Sequence, residues 1–125
     1  MSQDASPERK LICLVDDDDL FRAKLALELR AEGYEVVEVD DGRQVGTVLA
    51  SRAFDAVVLD LVMPERDGLE IIADIKRVTP RTHIVAISGG GRVGAQLYLE
   101  LARQLGADAC LAKPIKIESL KAAIG

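Results

Sequence analysis

Five short runs rich in Val, Ile, Leu and Ala punctuate the chain: Leu11–Val15, Glu35–Val39, Ala56–Leu59, Ile84–Ser88 and Ala109–Ala112. Apolar runs on this scale are typical of strands buried on both faces of a sheet. The segments between them change period. Phe21, Leu25 and Leu29 recur at four-residue steps before Gly33, and Val45, Val48 and Leu49 mark a second helix. Leu69, Ile72 and Ile75 mark a third, opened by Asp67-Gly68 with Glu70 placed to complete a capping box. Val93, Leu97, Leu101 and Leu105 predict the core stripe of a fourth, ended by Gly106, and Ile117, Leu120 and Ile124 a short fifth. Five strand–helix units in succession imply an α/β fold: a doubly wound, five-stranded parallel sheet with helices on both faces and right-handed crossovers.

At 125 residues, 49% hydrophobic and 30% charged, the chain can build one core without staples. Residues 1–10 are polar, contain Pro7, and read as a flexible tail, leaving 11–125 as the single domain. A net charge of -5 argues against direct contact with a nucleic-acid backbone. No run approaches the ~20 apolar residues of a membrane span, and "MSQDASPERK" has no apolar signal segment. Cys13 and Cys110 lie inside apolar runs and read as buried core thiols of a reducing compartment, so the expected location is the cytoplasm.

In doubly wound sheets, ligands bind beyond the carboxyl ends of the strands. Asp16 and Asp17 follow the first strand, Asp60 the third in "VVLDLVMPERDG", Ser88 the fourth before three glycines, and Lys113 the fifth before Pro114. Two carboxylates about 4 Å apart repel by roughly 4 kcal/mol at an effective dielectric near 20. Asp16, Asp17 and Asp60 therefore suit a hard divalent cation with oxygen ligands, and Mg2+ fits best. Asp18 and Asp19 are better explained as the start of the first helix, where its dipole favours negative charge.

These motifs, in this order and spacing, resemble the receiver domain of bacterial two-component response regulators over roughly residues 10–125. The resemblance implies a flavodoxin-like sheet and a phosphoryl group accepted on Asp60 from a sensor histidine kinase or a histidine phosphotransfer protein. It assigns Asp17 and Asp60 as direct Mg2+ ligands, Asp16 as a ligand largely through water, and the backbone carbonyl of Val62 as another. Ser88 would hydrogen-bond the phosphoryl oxygens, and Lys113 would pair with them across a cis peptide to Pro114. The switched surface would be the fourth helix, fifth strand and fifth helix, acting on a downstream protein. No enzymatic turnover is implied beyond self-phosphorylation from a phosphodonor and autodephosphorylation. With no further domain after Gly125, a free-standing regulator is the expectation.

Two features within the domain depart from that family's pattern. Cys110 stands where receivers usually carry an inward-turning aromatic residue, three positions before the lysine. The glycine-rich "SGGGRVG" offers another switching element, by reorganisation of the loop itself. The stretch from Ser88 to Lys113 is also a few residues long for a receiver, and Tyr98 and Leu99 fall off the expected stripe; padding of the helix–sheet contact is favoured over presentation to a partner. Val62 and Gly90 flank the site where water would attack the phosphoryl group.

Other functions explain less. Aspartate-nucleophile phosphatases of the haloacid dehalogenase type place an acid two residues after the nucleophile, where this chain has Val62. "GGGR" lacks the Lys-Ser/Thr of a phosphate loop. His83 opens a strand at the edge away from the site and reads as structural, not as a phosphodonor. A flavodoxin-like cofactor carrier lacks any flavin or cobalamin signature. A pseudo-receiver that binds partners without phosphorylation is the alternative, and the full set of Asp16, Asp17, Asp60, Ser88 and Lys113 argues against it.

Overall fold

A computed structural model describes residues 9–64, 66–89 and 94–125. The element order is β1 (Leu11–Val15), α1 (Asp19–Ala31), β2 (Glu35–Val39), α2 (Val45–Ser51), β3 (Ala56–Asp60), α3 (Gly68–Val78), β4 (His83–Ser88), α4 (Ala95–Leu105), β5 (Ala109–Ala112) and α5 (Ile117–Ile124). A 3-10 turn, Gly42–Gln44, leads into α2. All strand pairings are parallel, in the order β2-β1-β3-β4-β5. The alternation of strand and helix thus folds as its period requires. Only β3, which takes in Asp60, and β4, which begins at His83, extend beyond the apolar runs.

Side chains alternate across the sheet and divide the core into two layers. Ile12, Leu14, Val58, Val85 and Ile87 meet Leu25 and Leu29 of α1 and Leu120 and Ile124 of α5. On the other face, Cys13, Val15, Val57, Leu59 and Ala86 meet α2, α3 and α4.

Burial on both faces holds for the inner strands but not for all five. β1 and β3 are buried throughout, whereas in β2 only Val36 and Val39 are buried and no residue of β5 is fully buried. The strand order places β2 and β5 at the edges, which short apolar runs do not reveal. Cys110 follows from this: it is half-buried rather than a core thiol, with its Sγ donating to the Leu99 carbonyl at 3.4 Å.

The stripe expected on α4 is rotated. Ala95, Leu99 and Ala102 face the sheet, with Tyr98 packed partly against the core. Leu97, Leu101 and Leu105 are 63%, 37% and 43% exposed. Both rows have helical spacing, so periodicity admits either. The alanines let the helix approach β4 and β5 closely, and Tyr98 and Leu99 fill the contact as padding.

Helix ends are set locally. Asp67 caps α3 through the Leu69 N–H at 2.9 Å, without a return bond from Glu70 among the described residues. Gly106 closes α4 with φ 120°, a conformation L side chains rarely adopt. At Gly68 a Cβ would lie 2.6 Å from the Leu61 Cα, so only glycine lets α3 start against the chain leaving β3. His83 Nε2–H donates to the Ala123 carbonyl at 2.7 Å, tying β4 to the end of α5. Most of the expected tail, and the glycine loop at 90–93 with Gly90 and Val93, lie outside the described residues.

Candidate functional site

The carboxyl ends of β1, β3, β4 and β5 bring the expected side chains to one edge. Asp16, directly after β1, is fully buried, as are the five apolar residues before it. Its Oδ1 accepts the Asp18 N–H at 2.9 Å and its Oδ2 accepts the Lys113 ammonium at 3.0 Å. Asp60, also buried, accepts the Val62 N–H on Oδ1 at 3.2 Å, and its Oδ2 lies 3.6 Å from Lys113 Nζ. Asp17 is partly exposed, and with Asp16 and Asp60 it can bring one oxygen each to within 4.8 Å of one another. Asp17, Asp60, Val62 and Lys113 line an open cleft of about 490 Å³.

The surrounding backbone holds these groups still. Leu61 N–H donates to the Ile87 carbonyl at 2.9 Å, and Lys113 N–H to the Ser88 carbonyl at 2.7 Å. The Lys113–Pro114 peptide is cis. Asp18 is the N-cap of α1, accepting the Phe21 N–H at 3.1 Å, and Asp19 pairs with Arg22. Asp16 and Asp17 thus stand in the site and Asp19 opens the helix, whereas Asp18 does both: it caps α1 and also lines the cleft.

Charge is unbalanced within the cleft. Burial foremost, then the charge of Asp16, pushes the Asp60 carboxyl up from 3.8 to about 6, against the opposing pull of Lys113. Among the described residues, the carboxylates of Asp16, Asp17 and Asp60 gather at the Lys113 ammonium, and Asp18 lines the same cleft. The buried Ser88 hydroxyl has no hydrogen-bond partner among the described residues, and such an orphan calls for a physical account. An acidic, oxygen-rich cleft fits a hard divalent cation, and an unpartnered hydroxyl at the end of the neighbouring strand β4 suits an oxyanion as its acceptor.

Two contributors escape a reading by sequence. Arg22 donates to the Asp16 carbonyl at 2.7 Å while pairing with Glu38 on β2, which pins the turn after β1. Phe21, in the apolar stripe of α1, presents its ring to Lys113 Nζ, 4.0 Å from the centroid. Arg22 reads as an ordinary helix surface charge and Phe21 as an ordinary core residue. No spacing rule signals either contact.

A profile of the response regulator receiver domain matches residues 12–125. The chain belongs to that family. Receivers of two-component systems are signalling domains phosphorylated on aspartate. Among relatives, the transcriptional regulatory protein PdtaR of Mycobacterium tuberculosis is 39% identical over 123 residues, which are 96% of this receiver and 56% of PdtaR. The chain thus spans about half the length of that relative. A response regulator from Burkholderia pseudomallei, crystallised with a phosphorylated aspartic acid, calcium ion and citrate, superposes with a TM-score of 0.83 at 28% identity. That match covers 93% of this receiver and 66% of the Burkholderia chain. The response regulator TrrA of Thermotoga maritima, in complex with Mg2+ and BeF, gives a TM-score of 0.80 at 28% identity, covering 92% of this receiver and 96% of TrrA. Among the described residues, no helix is long and apolar enough to cross a membrane.

Proposed function

We propose that this receiver accepts a phosphoryl group on Asp60 in a Mg2+-dependent transfer from a sensor histidine kinase or a histidine phosphotransfer protein. The observation that carries this is the convergence of Asp16, Asp17, Asp60 and Lys113 at the strand ends, beside the end of β4, where the buried Ser88 hydroxyl has no partner among the described residues. The phosphorylated aspartate of the Burkholderia relative and the Mg2+–BeF complex of TrrA support it.

Asp60 is the nucleophile. One carboxylate oxygen forms the O–P bond as the P–N bond to the donor imidazole breaks, and the imidazole nitrogen leaves with that electron pair. Mg2+ held by Asp17, Asp60 and the Val62 carbonyl, with Asp16 acting largely through water, would offset charge on the phosphoryl oxygens. Lys113 supplies a second positive charge, and Ser88 donates a hydrogen bond to the same oxygens. Small phosphodonors can replace the protein donor, and water attack on the acyl phosphate returns the resting state.

The product takes Asp60 from about -1 to about -2 in charge. We assign the output to α4–β5–α5, where Leu97, Leu101 and Leu105 form an exposed apolar row along α4. Cys110 lies under α4 in place of an aromatic switch residue and donates to Leu99, so movement of α4 changes its contact directly. The same reading places the protein in the cytoplasm, as residues 11–125 of a receiver preceded by a tail.

Intact mass after incubation with acetyl phosphate, with and without Mg2+, tests the reading. Wild type is expected to gain one phosphoryl group only with Mg2+, and Asp60→Asn none. No gain under any condition would replace this reading with that of a pseudo-receiver, which Cys110 already favours.

A further inference from the structure

We propose that Phe21 is a positioning residue for phosphoryl transfer: its ring face holds the Lys113 ammonium at the mouth of the cleft through a cation–π contact. The inference rests on the reading of Asp60 as phosphoacceptor. Lys113 Nζ stands 4.0 Å from the ring centroid, within the range in which the ring quadrupole attracts a cation. The same nitrogen lies 3.0 Å from Asp16 Oδ2 and 3.6 Å from Asp60 Oδ2. Two carboxylates and one ring face therefore surround an ammonium that has three N–H donors. With its side chain 21% exposed, Lys113 reaches solvent, so these neighbours must fix a flexible four-carbon stem.

The third partner's chemistry matters. A third carboxylate on Lys113 would deepen the negative charge of a cleft that must admit an anionic phosphoryl group. It would also compete with that group for the ammonium. An aromatic face holds the cation without adding net charge, and leaves the N–H donors facing the carboxylates free to turn to phosphoryl oxygens. The ring is itself well anchored. Its backbone N–H bonds the Asp18 cap at 3.1 Å, Arg22 ties the next residue to the Asp16 carbonyl at 2.7 Å, and Leu25 sits buried one turn on. Phe21 itself is only half-buried and packs at the rim of the core, where bulk alone does not dictate an aromatic ring.

The test compares Phe21→Leu, Phe21→Tyr and Phe21→Trp with wild type. Leucine keeps an apolar side chain and removes the π face, whereas tyrosine and tryptophan keep it. With acetyl phosphate and Mg2+, Phe21→Leu is expected to lower the maximal phosphorylation rate about three- to tenfold, the range a partly desolvated cation–π contact supports. Phe21→Tyr and Phe21→Trp should stay within about twofold of wild type. In NMR spectra without phosphodonor, the Lys113 ε-methylene protons should be shifted upfield by the ring current in wild type and Phe21→Tyr, and should move to ordinary lysine positions in Phe21→Leu. In a Lys113→Gln background, Phe21→Leu should have no further effect on rate, which a merely structural role would not produce. A labelled wild type with Phe21→Leu keeping pace, or equal losses in all three variants, overturns the role of Phe21 alone. An unlabelled wild type overturns the reading of Asp60, and the transfer role with it. If Phe21→Leu does not fold, an unshifted Lys113 methylene in wild type still refutes the contact.

Discussion

Asp60 is the residue at which the cost of the site is concentrated. In the unfolded chain its carboxyl titrates near 3.8, and in the folded receiver near 6. Between those values the native state holds a proton that the unfolded chain has released, so this group favours folding at low pH. As pH rises from 3.8 toward 6 that contribution is lost, and above about 6 the charged carboxylate is carried at a cost of roughly 2 kcal/mol after solvent screening. Chemical denaturation of wild type and Asp60→Asn in metal-free buffer at pH 4, 5, 6 and 7 isolates this cost. The variant is expected to gain about 2 kcal/mol over wild type between the ends of that series. Parallel curves for the two proteins would show that burial does not burden Asp60. The acid at the end of β3 was legible, since an apolar run closing on a carboxylate is poorly explained by solvation. The Ser88 hydroxyl was legible as a residue but not as a buried orphan, because hydrogen-bond satisfaction depends on neighbours brought in from other strands.

At the scale of the element, α4 shows how a helix can be recognised and still be turned the wrong way. Its leucines at 97, 101 and 105 outweigh Ala95, Leu99 and Ala102 in any count of apolar bulk, yet the smaller row faces the sheet. Close approach to β4 and β5 favours small side chains, and the large ones are left facing solvent. Leu99→Ala is expected to cost about 2–4 kcal/mol, since it empties a position 7% exposed. Leu101→Ala is expected to change stability by no more than about 0.5 kcal/mol. Urea denaturation of the two variants decides between the faces, and the reverse ranking would restore the leucine row to the core. The helix α1 behaves differently: Leu25 and Leu29 are buried as their spacing requires, and Phe21, one turn earlier, serves the stripe and Lys113 together.

Across the whole molecule, the sheet order decides which groups solvent can reach. Cys13 lies on β1, enclosed between β2 and β3, is fully buried, and has its thiol pushed up to about 12 by burial. Cys110 lies on edge strand β5, half-buried, with its thiol also raised by burial. A thiol reagent at pH 8 is therefore expected to label Cys110 first under native conditions. Cys13 should label only as denaturant unfolds the molecule, in step with loss of circular dichroism. Labelling of both at one native rate, followed by mass spectrometry, would show that β1 opens locally. The sequence by itself determined the alternation of strands and helices, nearly all strand bounds, and which chemical groups stand at the strand ends. Those features are local: run length, period and the residue that closes a run are read along the chain. Only the tertiary structure decided that β2 and β5 are edges, which row of α4 is buried, that Ser88 lacks a partner among the described residues, and that Phe21 lies against Lys113. Each of these depends on contacts between residues distant in sequence, and hydrophobic period reports that a side chain is buried without saying against what.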